Sequence, residues 1–79
     1  MTASAYVLIE AASGKISHII EELQKIPEVT TCDVVTGQFD IIARVEAEDM
    51  NVLARVSYAK IQLIDGVLRT TTCSIVRMG

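Results

Sequence analysis

The spacing of apolar residues along this chain switches repeatedly between a period of two and a period near 3.6, and each switch predicts an element. Tyr6-Val7-Leu8-Ile9 form the centre of a first strand over residues 3–10. From Ser13, a candidate N-cap, Ile16, Ile19, Ile20, Leu23 and Ile26 recur at helical spacing until Pro27 ends the run. Two β-branched stretches follow, roughly residues 29–36 and 39–46, joined at Gly37 in a hairpin pattern. A second helix opens near Glu48-Asp49, whose charges suit the positive end of a helix dipole, and runs through Met50, Leu53, Ser57, Ile61 and Ile64. Asp65-Gly66 stops it, and residues 67–76 read as a last, threonine-rich strand.

The resulting order is βαββαβ, with a faint internal duplication in which Ile26-Pro27-Glu28-Val29 corresponds to Ile64-Asp65-Gly66-Val67. Two βαβ halves with right-handed crossovers predict an α+β, ferredoxin-like sandwich: a four-stranded antiparallel sheet, order 4-1-3-2, with two helices on one face. On the first strand Val7 and Ile9 point one way and Tyr6 and Leu8 the other, so the face without helices is also apolar. On the third strand Phe39, Ile41, Ala43 and Val45 form one apolar face, opposed by Gln38, Asp40, Ile42 and Arg44. Two sheets packed face to face in a dimer, as in a dimeric α/β barrel, would cover the surplus. Val52, Val56, Ala59 and Leu63 widen the apolar stripe of the second helix and predict further oligomeric contact.

Composition agrees with a small aliphatic domain that gains from association. The chain has 79 residues, enough for one domain, with 51% hydrophobic residues and no tryptophan. Its net charge is −3 and its seven Lys and Arg residues are scattered, which disfavours electrostatic binding to nucleic acid. No apolar run reaches the roughly 18 residues of a membrane helix, and no signal-peptide pattern opens the chain, so a cytoplasmic protein is expected.

Few residues carry candidate chemistry. Cys32 and Cys73 are predicted on opposite edges of the sheet, too far apart for a disulfide, and outside any C-x-x-C pair. His18, the only histidine, falls off the apolar face of its helix and reads as a surface residue without metal-ligand neighbours. Glu21-Glu22, Glu46, Glu48 and Asp49 read as solvated charge, so no catalytic residue, metal site or cofactor is expected. Thr70 and Thr72 share one face of the last strand, where hydroxyls can bind a carboxylate. Thr36-Gly37-Gln38-Phe39-Asp40 is the most informative stretch. A glycine there suits a tight hairpin turn on structural grounds alone, but a carboxylate in an apolar strand calls for a partner.

Thr36-Gly37-Gln38-Phe39-Asp40, with Asp49-Met50 and Leu53, then Ile64-x-Gly66-Val67 and Thr70-x-Thr72, resembles the effector-binding (RAM) domain of the Lrp/AsnC transcription regulators over nearly the whole chain. The resemblance implies a non-enzymatic, stand-alone form without the helix-turn-helix domain. It further implies sheet-to-sheet dimers, ring-shaped higher oligomers, and an amino-acid ligand held where dimers meet. Carried over, Thr36, Gly37, Gln38 and Asp40 would line the pocket from one subunit and Thr70 and Thr72 from its neighbour. Asp40 would take the ammonium, and the turn amides and threonine hydroxyls the carboxylate. Implied partners are other copies of the chain and full-length Lrp/AsnC regulators. Asp65 stands where the family often has proline. Competing readings of the same topology are a dimeric α+β barrel enzyme, of monooxygenase or isomerase type, and an ACT-like regulatory domain of a metabolic enzyme. An RNA-recognition domain fits least, because the central strands lack stacking aromatics.

Overall fold

The central strand is the one on which both of its neighbours are registered. In the computed structural model, which describes residues 2–78, β1 (Ala3–Ala11), α1 (Ile16–Gln24), β2 (Val29–Val34), β3 (Ile41–Ala47), α2 (Met50–Val56) and β4 (Val67–Ser74) follow in that order. A π-helical turn, Ser57–Ile61, continues directly from α2. The sheet order is β2-β3-β1-β4, antiparallel throughout. This is the ferredoxin-like topology read from the periodicity.

Alternation along β1 sorts its side chains between two environments. Ala5, Val7 and Ile9 pair with Val45, Ala43 and Ile41 of β3, and all six are fully buried. Ile19 and Leu23 of α1, Leu53 and Val56 of α2 and Ile61 of the π turn close the core over them. On the other face Leu8 pairs with Ile42 and Tyr6 with Arg44. Tyr6 is 41% exposed, a large value for an aromatic on a central strand. Arg44 donates to the Tyr6 hydroxyl at 3.1 Å and lies 3.5 Å from Glu46, and Arg69 lies 3.7 Å from Glu10. The Tyr6 hydrogen bond, with help from Glu46, raises the guanidinium pKa further above its usual range. The open face is therefore an apolar centre, Leu8 and Ile42, rimmed by charge, the arrangement found in protein interfaces.

Three local expectations are corrected. Ser13 does not cap α1: it lies in a turn with Gly14 at φ +79°, and the helix starts after Lys15, which makes no side-chain cap bond. The segment is used instead for docking, since the Ala12 amide donates to the Gly66 carbonyl at 2.8 Å and Lys15 pairs with Asp65 at 3.0 Å. The Lys15 ammonium holds the Asp65 carboxyl below the usual carboxylate range. The hairpin is not a tight turn: residues 35–40 form a six-residue loop, and Phe39 and Asp40 precede β3 rather than belonging to it. The second helix is not uniform: it is α-helical only to Val56, capped at its start by the Asp49 carboxylate on the Val52 amide at 2.9 Å. From Ser57 it widens, and the Gln62 amide donates to the Ser57 carbonyl at 3.0 Å. Val56 accordingly belongs to the core, while Leu63 is exposed.

Gly66 is fixed by geometry. Its φ is +97°, and a Cβ there would lie 2.5 Å from Lys15 Cβ. Gly66→Ala is expected to lower unfolding stability by roughly 1–3 kcal/mol in urea titration, whereas a change within a few tenths would show that the Lys15 contact yields freely.

Candidate functional site

Two polar regions flank β1, and β1 positions both. The first is the loop 35–40. Its ends close through the Val35 amide on the Asp40 carbonyl at 2.8 Å. Asp40 then attaches the loop to β1 twice: its amide donates to the Ile9 carbonyl at 2.9 Å, and its Oδ2 accepts from the Ala11 amide at 2.8 Å. On the other side of β1, at the same point, the β1–β4 register shifts between Glu10 and Ala11. The carboxylate predicted from sequence as a ligand group thus has a structural partner on one oxygen. Its second oxygen, Oδ1, makes no hydrogen bond among the described residues. Thr36, Gly37 and Gln38 are exposed at the loop tip. Gly37 has φ +120° with open space around its Cβ position, so backbone conformation rather than packing accounts for the glycine.

The second region is a groove of ≈ 440 Å³ between α2 with its π turn and the helix-side face of β4. Pairing of Thr70 with Ile9 and Thr72 with Val7 puts both threonines on the face that the helices cover over β1 and β3. At the sheet edge that cover is incomplete, so their hydroxyls line an opening instead of a core. Met50, Leu53 and Ala54 of α2 form the apolar wall. Ser57, Tyr58 and Gln62, with Thr70, Thr72 and Ser74 opposite, supply the polar groups. Ser57 is buried, and its Oγ lies 3.0 Å from Thr72 Oγ1. Among the described residues no charged side chain lines the groove.

Thr70 and Thr72 therefore share one lined space, as their alternation predicted. Thr36, Gly37, Gln38 and Asp40 are not part of it; within one chain they reach β1 from the β3 side. Ser57 and Gln62 were not singled out in sequence. A signal did exist for Ser57, a serine at a core position of the second helix's apolar stripe.

Elsewhere the structure places little chemistry. Cys32 and Cys73 are free, on the two outer strands, and partial burial pushes the Cys32 thiol up. His18 is exposed. Among the described residues no group of three or more His, Cys, Asp or Glu side chains could hold a metal ion, and no helix is long and apolar enough to cross a membrane.

The model of the Lrp/AsnC ligand binding domain matches residues 4–78. An uncharacterized HTH-type transcriptional regulator of Pyrococcus abyssi is 38% identical over 68 residues, covering 86% of this chain and 43% of that protein. The chain thus spans less than half the length of that relative. AsnC of E. coli is 25% identical with a TM-score of 0.90, over 96% of this chain and 52% of AsnC. The fold alone is shared with a Neisseria meningitidis transcriptional regulator solved as a complex with L-Met, at 19% identity and a TM-score of 0.85 over 95% of this chain and 50% of the other. The chain belongs to the Lrp/AsnC ligand binding domain family.

The double attachment of Asp40 separates two substitutions. Asp40→Asn keeps an oxygen for the Ala11 amide and should unfold within about 0.5 kcal/mol of wild type, whereas Asp40→Ala leaves that amide unpaired and should lose about 1–2 kcal/mol in urea titration. Equal stability of the two variants would remove the structural role of the carboxylate.

Proposed function

We propose that this chain is an effector-binding and assembly module of transcription regulation, which takes a free amino acid where neighbouring subunits meet and responds through its state of oligomerisation. The observation that carries this reading is the pair of incomplete polar sites on either side of β1. The β4 groove offers hydroxyls and no charge, whereas the loop 35–40 offers exposed backbone and one uncommitted Asp40 oxygen. An amino-acid zwitterion needs both kinds of group. Its ammonium suits Asp40 Oδ1, and its carboxylate suits the Thr70 and Thr72 hydroxyls together with the amides around Gly37. Because neither region is complete in one chain, the reading joins Thr36, Gly37, Gln38 and Asp40 of one subunit to Thr70 and Thr72 of another.

Association through the open sheet face supports the same reading. Pairing two copies over Leu8 and Ile42 would bury the apolar centre and leave the Arg44–Glu46 and Arg69–Glu10 pairs at the rim. Dimers of that kind leave the β4 groove and the 35–40 loop at their periphery, available to further dimers in a ring or to longer Lrp/AsnC regulators. The reading assigns no catalytic step and places the protein in the cytoplasm with the regulators it resembles.

Isothermal titration of the twenty amino acids against the full chain tests the proposal. At least one should bind, and Asp40→Asn should weaken it by about tenfold or more while leaving the fold intact, as expected for loss of a charge-assisted hydrogen bond. Failure of all twenty to bind would contradict the ligand role.

A further inference from the structure

Nothing in the zwitterion scheme uses the π turn, Gln62 or the apolar wall of the β4 groove, and these residues have a chemistry of their own. Met50, exposed and backed by Ala54, forms one side, long enough to lie against an aliphatic or thioether stem. The floor is set by the widened turn, where Ser57 meets Thr72 at 3.0 Å. One hydroxyl of that pair donates to the other, so a single O–H and spare lone pairs are left for a ligand. Gln62, exposed at the end of the π turn, adds an amide that both donates and accepts. The scheme above already gives the Thr70 and Thr72 hydroxyls to the ligand's α-carboxylate, and the remaining groups are neutral, so a second charge, on the ligand's side chain, would find no partner here.

We propose that this groove reads the ligand's side chain and selects an uncharged one, with Ser57 and Gln62 as specificity-determining residues. The inference rests on the amino-acid reading above and adds the class of amino acid. A lysine, arginine, aspartate or glutamate side chain placed here would give up water for neutral dipoles alone, an unfavourable exchange. A methionine, leucine or glutamine side chain loses little on entry and gains contact with Met50 and Ala54 or hydrogen bonds with Ser57 and Gln62. Neutral hydroxyl and amide groups thus exclude by leaving charge unpaired, which discriminates more strongly than a missing methylene.

Titration of L-methionine, L-leucine and L-glutamine against L-lysine, L-arginine, L-aspartate and L-glutamate tests this on the full chain, with Gln62→Glu as the second protein. Gln62 is exposed, so the variant should fold as wild type. The wild-type chain should favour at least one of the three neutral ligands over every charged one by about tenfold or more. Gln62→Glu should raise affinity for lysine or arginine relative to the neutral ligands by a similar factor, a gain that loss of structure cannot mimic. Neutral and charged amino acids binding equally, still weakened by Asp40→Asn, would overturn the selectivity and leave the amino-acid reading standing. A Gln62→Glu variant with unchanged preference would also overturn it. No binding by any of the seven or of the remaining amino acids would overturn both.

Discussion

The register of β1 is the constraint from which the rest of this structure follows. Ala5, Val7 and Ile9 are fully buried and are paired on one side with β3 and on the other with β4. A slip of one residue would exchange that row for Tyr6 and Leu8 and turn every side chain to the opposite face. The same register decides which way β4 presents its alternate threonines, because Thr70 and Thr72 stand beside Ile9 and Val7. It also decides where the loop 35–40 is tied, because Asp40 bonds to Ile9 and Ala11. Hydrophobic burial on the central strand thus places both polar regions without either of them contributing much to the core.

That dependence explains what could be read from the sequence. The alternation in β1 and β3 and the helical spacing of Ile16, Ile19, Leu23 and Leu53 are local patterns with a single physical meaning, so element order, sheet order and core were legible. The corrected details are those set by distant partners. Ser13 loses its capping role because Ala12 bonds to Gly66, far along the chain. The loop spans six residues, and Asp40 at its end is held by Ile9 and Ala11 of β1, a contact that no pattern around Gly37 announces. Phe39 looked like strand because it is apolar and adjacent to β3. The π turn coincides with a serine bonded across to Thr72, and only the serine was visible.

In the proposed function the two sides of the molecule have different roles. The open face, with Leu8 and Ile42 inside a rim of Arg44, Glu46, Arg69 and Glu10, is suited to a permanent contact in which apolar area dominates. The β4 groove sets hydroxyl and amide groups against its apolar wall, and the loop 35–40 exposes backbone and one Asp40 oxygen. Such a contact gains when a small polar molecule fills it, so its occupancy can depend on ligand concentration while the fold does not. In the proposed function, a domain whose aliphatic core is separate from its polar periphery would couple a metabolite level to assembly through that periphery alone.

The central claim is that the ligand site is shared between subunits, and mixing two defective chains tests it directly. Asp40→Asn lacks the carboxylate, and a Thr70→Val, Thr72→Val double variant lacks the hydroxyls, so oligomers of either alone should bind the amino acid weakly. Co-refolded in equal amounts, they should recover high-affinity sites amounting to about a quarter of the wild-type number by titration, because random mixing joins the two intact halves at about one interface in four. A mixed oligomer that recovers no sites would contradict the account and place the whole pocket within one chain.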